Sequence, residues 1–363
     1  MEWPLLLSFA TVGLAFMPVS ALLAGLPPHL VLVSVMLALI AVIVFSAFAV
    51  VRHAEALAVR LGEPLGTLVL TISVTGIEVM MITAVMSAGH GQPALARDAM
   101  FSVVMIVLNG MVGTVLLIGG LRYREQTYNL QGVNAFLSLI VPLAVLGLIL
   151  PNFTSAPGPT ISRFHAGFEI IVSLCIYTVF LAIQTSLHRH YFVLGSGPDT
   201  TGNHDGFIVS APYHATFLIV YLLPLVVLSK VLAHHMEDVI QLMNAPVALG
   251  GFIVAALVLS PESLTALRAA RANHLQRSLN ILLGSALATI ALTIPAVLTV
   301  GLITGQTIYL GLEGPNMVML SLTLVVSILT FSTPRTNVLL GAVHLLLFFA
   351  YLMLMFEEHG GRV

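Results

Sequence analysis

The sequence predicts an all-α polytopic membrane protein of about eleven transmembrane helices, one extra N-terminal helix followed by two inverted five-helix repeats. Three observations carry that prediction. First, 58% of the 363 residues are hydrophobic and only 8% are charged, whereas a soluble domain carries about 25% charged residues. Second, apolar runs of about twenty residues, enough to cross a bilayer core of about 30 Å, recur from end to end. Third, the two halves of the chain repeat one spacing of glycine and glutamate, described below. The mean hydropathy of +1.06 agrees with the first two. The single cysteine, Cys175, leaves no intrachain disulfide and no cysteine-rich metal site. The partner is the lipid bilayer, and no basic cluster points to nucleic acid.

The spans follow in order. Leu5 to Ala24 is a retained helix rather than a signal peptide, because Glu2 is the only charge before it and no basic segment precedes it. His29 to Val51, Pro64 to Ser87, Asp98 to Gly120, Val133 to Leu150 and Gly167 to Ser186 come next. Glycine, proline and polar residues then dominate Leu187 to Ala211, which reads as a linker between halves. The second half holds Pro212 to Ala233, Ala245 to Leu267, Arg277 to Ile303, Pro315 to Ser332 and Thr336 to Phe356. The organisation is therefore 1–28 for the extra helix, 29–186 for the first repeat, 187–211 for the linker and 212–363 for the second repeat. Trp3 suits an interface anchor.

Basic residues orient this bundle. Arg52, Arg60, Arg122, Arg124, Arg189, Arg268, Arg271, Arg277 and Arg335 fall on the side that holds the N-terminus. Arg97, Arg163, Lys230 and Arg362 fall on the other. The excess predicts a cytoplasmic N-terminus and, with an odd number of spans, an external C-terminus.

The repeat points to a site. Gly66 precedes Glu78 by twelve residues, and Gly250 precedes Glu262 by twelve. In the next helix of each half, Asn109 followed by Gly113 matches Asn280 followed by Gly284. Five spans per half turn the second copy upside down, the plan of secondary transporters whose sites lie near the midplane. Twelve residues carry each glutamate about 18 Å inward from its own glycine. Entering from opposite faces, the two carboxylates converge. A carboxylate at the bilayer centre costs roughly 2.5–3.5 kcal/mol on insertion scales, which marks it as functional. Pro261 cannot donate its helical hydrogen bond and Gly76 weakens its helix, so unwound backbone beside each glutamate is expected to offer carbonyl oxygens.

Two carboxylates, hydroxyls and carbonyls make a hard, all-oxygen environment suited to Ca²⁺ or Na⁺. A pair of ionised glutamates is neutralised equally by one divalent cation or by two protons, and competition between them is antiport. The expected ligands are Glu78 and Glu262, which also carry the protons, with Asn109, Asn280, Thr75, Ser260 and Ser285. His188 and His190, like His234 and His235, lie at loop edges and read as solvated. His344 reads as a polar contact between helices. Glu55 and Glu63, beside Arg52 and Arg60, suit interfacial ion pairs, and Glu169 at the start of the sixth span is placed to face water. No zinc-protease, nucleophile-elbow or phosphate-loop motif is present, which argues against an enzyme, and no cofactor is expected.

Longer motifs carry a family resemblance. Arg52-His53-Ala54-Glu55, Leu61-Gly62-Glu63-Pro64 and Gly76-Ile77-Glu78-Val79 resemble the first signature region of bacterial ChaA-type antiporters, in the CAX branch of the cation/Ca²⁺ exchanger superfamily. Met243-Asn244-Ala245-Pro246, Leu259-Ser260-Pro261-Glu262, Gln276-Arg277-Ser278-Leu279-Asn280 and Gly284-Ser285-Ala286-Leu287-Ala288-Thr289 are similar to the second. Ser332-Thr333 and Arg335-Thr336-Asn337-Val338-Leu339 match near the end. The resemblance implies eleven helices, two inverted repeats, and paired glutamates that map onto Glu78 and Glu262. It also implies an inner-membrane exchanger of Ca²⁺, Na⁺ or K⁺ for H⁺, with a cation channel or uniporter as the rival reading. Related exchangers often carry a dense acidic run between the halves, where this linker has only Asp199, His204 and Asp205.

Overall fold

A computed structural model of the chain describes residues 2–15, 27–62, 65–88, 94–154, 160–192, 210–305 and 307–360. Residues 16–24 of the first span, Glu63, and Asp199, His204 and Asp205 of the linker lie outside the described residues. The described chain forms eleven helical spans. They are α1 (Trp3–Ala15), α2 (Pro28–Leu61), α3 (Leu65–Ala88), α4 (Leu95–Tyr123), α5 (Leu130–Phe153) and α6 (Arg163–Leu187), then α7 (Ala211–Leu242), α8 (Ala248–Arg271), α9 (Leu275–Thr304), α10 (Gly314–Thr330) and α11 (Val338–Gly360). Eight of them are long and apolar enough to cross a membrane, and α1, α3 and α10 add shorter apolar stretches.

Two helices run well past their expected ends. The α2 helix continues beyond Val51 to Leu61, because Arg52 to Arg60 is rich in alanine, arginine and glutamate, all good helix formers. It stops where Gly62 takes φ +66° and its amide bonds back to the Ala58 carbonyl. The α7 helix likewise runs through His234 and His235 to Leu242, and ends before Asn244 at φ +49°. His234 stands 3.9 Å from Asp238 on the same helix.

The α4 helix forms the buried centre, with Met100, Met105, Leu108 and Leu116 fully enclosed. Small residues let other helices approach it closely, as packing in lipid requires. A Cβ added to Gly251 of α8 would stand 2.7 Å from the Ala99 amide of α4, and one on Gly113 would stand 3.0 Å from the Gly341 carbonyl of α11. Beside this core, α2 packs along α3 and α7. The α1 helix docks there through Ser8, whose hydroxyl lies 2.6 Å from that of Ser46. Just ahead of α1, Glu2 meets Arg52 at 2.9 Å, His53 at 3.2 Å and Tyr221 at 2.9 Å. The chain start therefore shares a face with the end of α2.

The two faces are closed differently. On the N-terminal face a short antiparallel pair, β1 (Gln126–Thr127) and β2 (Arg335–Thr336), ties the α4–α5 loop to the α10–α11 loop. On the far face the segment between α9 and α10 straps across the end of α5. The Leu312 amide bonds the Leu148 carbonyl at 2.9 Å, Asn152 bonds the Leu312 carbonyl at 2.7 Å, and Arg97 reaches the Gly311 carbonyl at 3.1 Å. Leu310 and Leu312 are buried beneath this strap.

Four spans contain a π-helical segment, a feature frequent at functional sites because it frees a backbone carbonyl. These are Ile106–Met111 in α4, Val145–Ile149 in α5, Ile183–Leu187 in α6 and Thr289–Thr293 in α9. The break in regularity thus falls on helices beside the glutamates. The glutamate helices themselves, α3 and α8, run as continuous α-helices through Gly76 and Pro261, contrary to the expected unwinding. The carbonyl that Pro261 leaves free belongs to Leu257, and Ser260 Oγ donates to it at 2.7 Å. A hydroxyl one residue away satisfies the orphan without opening the helix.

Candidate functional site

Glu78 and Glu262 line one cavity of about 300 Å³. Glu78 is the fourteenth residue of α3 and Glu262 the fifteenth of α8, so each helix carries its carboxylate to a similar depth. Glu78 is buried at 4% exposure, and its Oε2 accepts a hydrogen bond from Thr289 Oγ1 at 3.0 Å. Its Oε1 is buried without a partner among the described residues. Glu262 is half-buried, with Oε2 likewise unpartnered and Ser285 in hydrogen-bonding reach. Buried polar atoms are seldom left bare. Two orphaned carboxylate oxygens facing one cavity are what a cation or a proton would satisfy.

The other expected ligands divide. Thr75, one turn before Glu78, lines the cavity with its hydroxyl buried and unpartnered. Ser285 and Asn280 line it too, although the Asn280 amide already donates to the Phe192 carbonyl at 2.7 Å and its Oδ1 accepts from Gln276 at 2.8 Å. Ser260 does not line the cavity, since its hydroxyl is turned back to Leu257. Asn109 also lies outside the lining. Its amide donates to Thr323 at 2.8 Å, and its Oδ1 faces His344 Nδ1 at 3.2 Å. His344 Nε2 in turn lies 3.0 Å from Thr330. The asparagine and the histidine thus knit α4, α10 and α11 together behind the site.

Depth explains why the two asparagines part company. Asn109 is the fifteenth residue of α4, but Asn280 is only the sixth of α9. The residue of α9 at the depth of Asn109 is Thr289, also the fifteenth, and both fall within π segments. Thr289 is the hydrogen-bond partner of Glu78 that the sequence did not single out. Its signal was depth along the helix rather than side-chain type.

The cavity opens toward the N-terminal face. Glu55 and Arg277, both exposed, stand at its mouth with Gln184, in the last two turns of α2, the first turn of α9 and the last turn of α6. Glu55, expected in an interfacial ion pair, is therefore also a wall of the access route. Toward the far face, beyond Thr289, the Thr293 hydroxyl is buried close to Glu78. No group of three or more His, Cys, Asp or Glu side chains that could hold a metal ion occurs among the described residues. Cation ligation in this cavity would therefore have to draw on hydroxyl, amide and backbone oxygens around the two carboxylates.

The chain matches the sodium/calcium exchanger protein family over residues 31–186 and 213–357. It belongs to that family. The exchanger is 43% identical over 325 residues to the sodium-potassium/proton antiporter ChaA of Escherichia coli (strain K12), covering 88% of each chain. Its fold matches the structure of native YfkE with a TM-score of 0.74 at 17% identity, over 97% of this chain and 98% of that one. It also matches the H⁺/Ca²⁺ exchanger CAX with a TM-score of 0.64 at 14% identity, over 97% and 88%. Its family is one of cation exchangers rather than enzymes.

Proposed function

We propose that this exchanger is a secondary cation/proton antiporter in which Glu78 and Glu262 bind the cation and the protons in turn. The observation that carries the reading is the single cavity into which both helices deliver a carboxylate with an unpartnered oxygen. With the cation bound, the pair is ionised and its charge is balanced by the metal. When the cation leaves, two bare carboxylates in an apolar enclosure repel and are poorly solvated, so protons replace it. The site then crosses to the other face neutral. Thr75, Asn280 and Ser285 complete the oxygen set, and Thr289 holds Glu78 in place.

Na⁺ and K⁺ are drawn from the relative at 43% identity, whose name gives them. Ca²⁺ is drawn from the hard oxygen donors. The two halves, 29–186 and 212–363, act as inverted repeats. Support for that comes from the matched depths of Glu78 with Glu262 and of Asn109 with Thr289. The protein works in the inner membrane with its N-terminus and the cavity mouth cytoplasmic, in keeping with the arginine excess on that face. The arrangement described here is then inward-open, with the strap between α9 and α10 closing the outside.

The test is a flux assay in proteoliposomes loaded with a pH-sensitive dye. Imposed Na⁺, K⁺ or Ca²⁺ gradients should drive proton movement in the opposite sense with wild type, and neither Glu78→Gln nor Glu262→Gln should support it. Net cation flux that needs no counter-moving proton would mean a channel or uniporter and would sink the proposal.

A further inference from the structure

The antiport reading leaves one buried carboxylate without a task. Glu169 lies in the second turn of α6, at the far-face end, and was expected to meet water. It is instead buried at 4% exposure, and Oε2 has no partner among the described residues. Among the described residues no cationic side chain pairs with it, and it belongs to no group of three or more His, Cys, Asp or Glu side chains that could hold a metal ion. A carboxylate buried in a membrane span with a bare oxygen can take up and release a proton.

Its neighbours make a place for it. Gly147 of α5 faces it within the π segment Val145–Ile149. A Cβ on Gly147 would stand 2.7 Å from Glu169 Oε1 and 2.8 Å from Ile294 Cδ1. The carboxylate thus occupies room that only glycine leaves, directly beside α9. Just before Ile294 on α9 comes the π segment holding Thr293, whose hydroxyl is buried close to Glu78. One turn earlier stands Thr289, bonded to Glu78. Glu78, Thr289 and Thr293 thus follow one another along α9 toward the face that the strap closes, and Glu169 of α6 lies next, across Gly147 and Ile294.

Resting on the antiport reading, we propose that Glu169 is a proton-carrying residue on the far-face side of the Glu78–Glu262 site, delivering protons to Glu78 along the Thr289–Thr293 edge. The carboxylic acid of Glu169 gives up one proton and the Glu78 carboxylate gains one. Each threonine hydroxyl on the way accepts a proton at oxygen and passes on its own, with water bridging the steps that no direct hydrogen bond spans. Glu169 is then reprotonated from the far-face solution, and no charge is created. The cation needs no such edge, since its ligands are in the cavity.

The experiment compares two fluxes of the full-length protein in proteoliposomes. One is Na⁺ flux coupled to a pH gradient. The other is isotopic Na⁺/Na⁺ self-exchange at equal pH, which requires no proton transfer. Glu169→Gln should lower the coupled flux by about tenfold or more, a modest part of the factor that a positioned proton carrier supplies. Self-exchange should stay at the wild-type rate, and Glu169→Asp should recover much of the coupling. Gly147→Ala, which sets a methyl group against Oε1, should give the same selective loss and serves as the second variant if Glu169→Gln fails to fold. Coupled flux at wild-type rates in Glu169→Gln at every pH would overturn the assignment, as would an equal fall in both fluxes, the mark of a merely structural role. A wild type that couples none of Na⁺, K⁺ and Ca²⁺ to protons would overturn the antiport reading as well, and where Na⁺ alone fails the same two fluxes are compared with the cation that couples. A coupled wild type with an indifferent Glu169→Gln overturns this assignment alone.

Discussion

Glu78 and Glu262 reach similar depths on similar helices, yet the protein holds them in opposite ways. Glu78 sits on an uninterrupted helix, is nearly inaccessible, and is fixed by a hydroxyl from a different span, Thr289. Gly76 just before it packs against nothing, since a Cβ there would meet no atom within 4 Å. Glu262 follows a proline, is only half-buried, and leaves Oε2 bare. Its helix is repaired from within, by Ser260 onto Leu257 at 2.7 Å. Glu78 is nearly enclosed and held at 3.0 Å by Thr289, whereas Glu262 is more exposed and has Ser285 within reach. In the antiport reading, Glu78 is the fixed half of the pair and Glu262 the half that adapts as cation and protons alternate.

The harshest way to break that contrast is to remove each charge. Glu78→Gln and Glu262→Gln each leave one carboxylate, which neither balances a divalent cation nor exchanges two protons. Both variants should lose coupled flux to the background of empty vesicles. Retained flux in only one of them would show that the two are not a pair.

Shortening the side chains separates the two more finely. Glu78→Asp withdraws the carboxylate from Thr289, and a hydrogen bond to a charged group is worth about 1.5–3 kcal/mol. Coupled flux should fall by about ten- to a hundredfold on that scale. Glu262→Asp gives up only the reach to Ser285 from a more exposed carboxylate and should cost less than Glu78→Asp under the same conditions. Equal losses would mean that the Thr289 bond positions nothing. Thr289→Val, with nearly the same shape and no hydroxyl, isolates that bond. It should raise the cation concentration for half-maximal flux by about tenfold, at the lower end of the same range.

Much of this was legible in the sequence, and the part that was not has a physical reason. Apolar run length placed the spans, because the bilayer thickness fixes it. The glycine-to-glutamate spacing placed Glu78 and Glu262, because depth along a helix is a count of residues. The asparagines were matched by type instead, and that misled: Asn109 turned to Thr323 and His344, while the depth it occupies belongs to Thr289 in the other half. Pro261 announced a broken helix, but whether a neighbouring hydroxyl repairs the break depends on a rotamer, which no spacing encodes. Glu169 looked exposed because it opens a span, and only the fold shows that Gly147 and Ile294 close over it.

The mildest test concerns the helix that repairs itself. Ser260→Ala removes the hydroxyl on the Leu257 carbonyl and leaves that oxygen unsatisfied beside Pro261. In a membrane interior no water replaces the lost donor, and an orphaned polar group costs about 1–3 kcal/mol. The variant should therefore unfold at lower temperature in detergent, or let α8 bend open at Pro261. If Ser260 only repairs backbone, the concentration of Na⁺ or Ca²⁺ for half-maximal flux should stay at its wild-type value. A weaker apparent affinity with unchanged thermal stability would return Ser260 to the ligand set and make the two carboxylates more alike than their surroundings indicate. Pro261→Ala in the same background decides between those outcomes. It restores the amide that Leu257 lacks, so it should recover the lost stability of Ser260→Ala but could not recover a lost ligand.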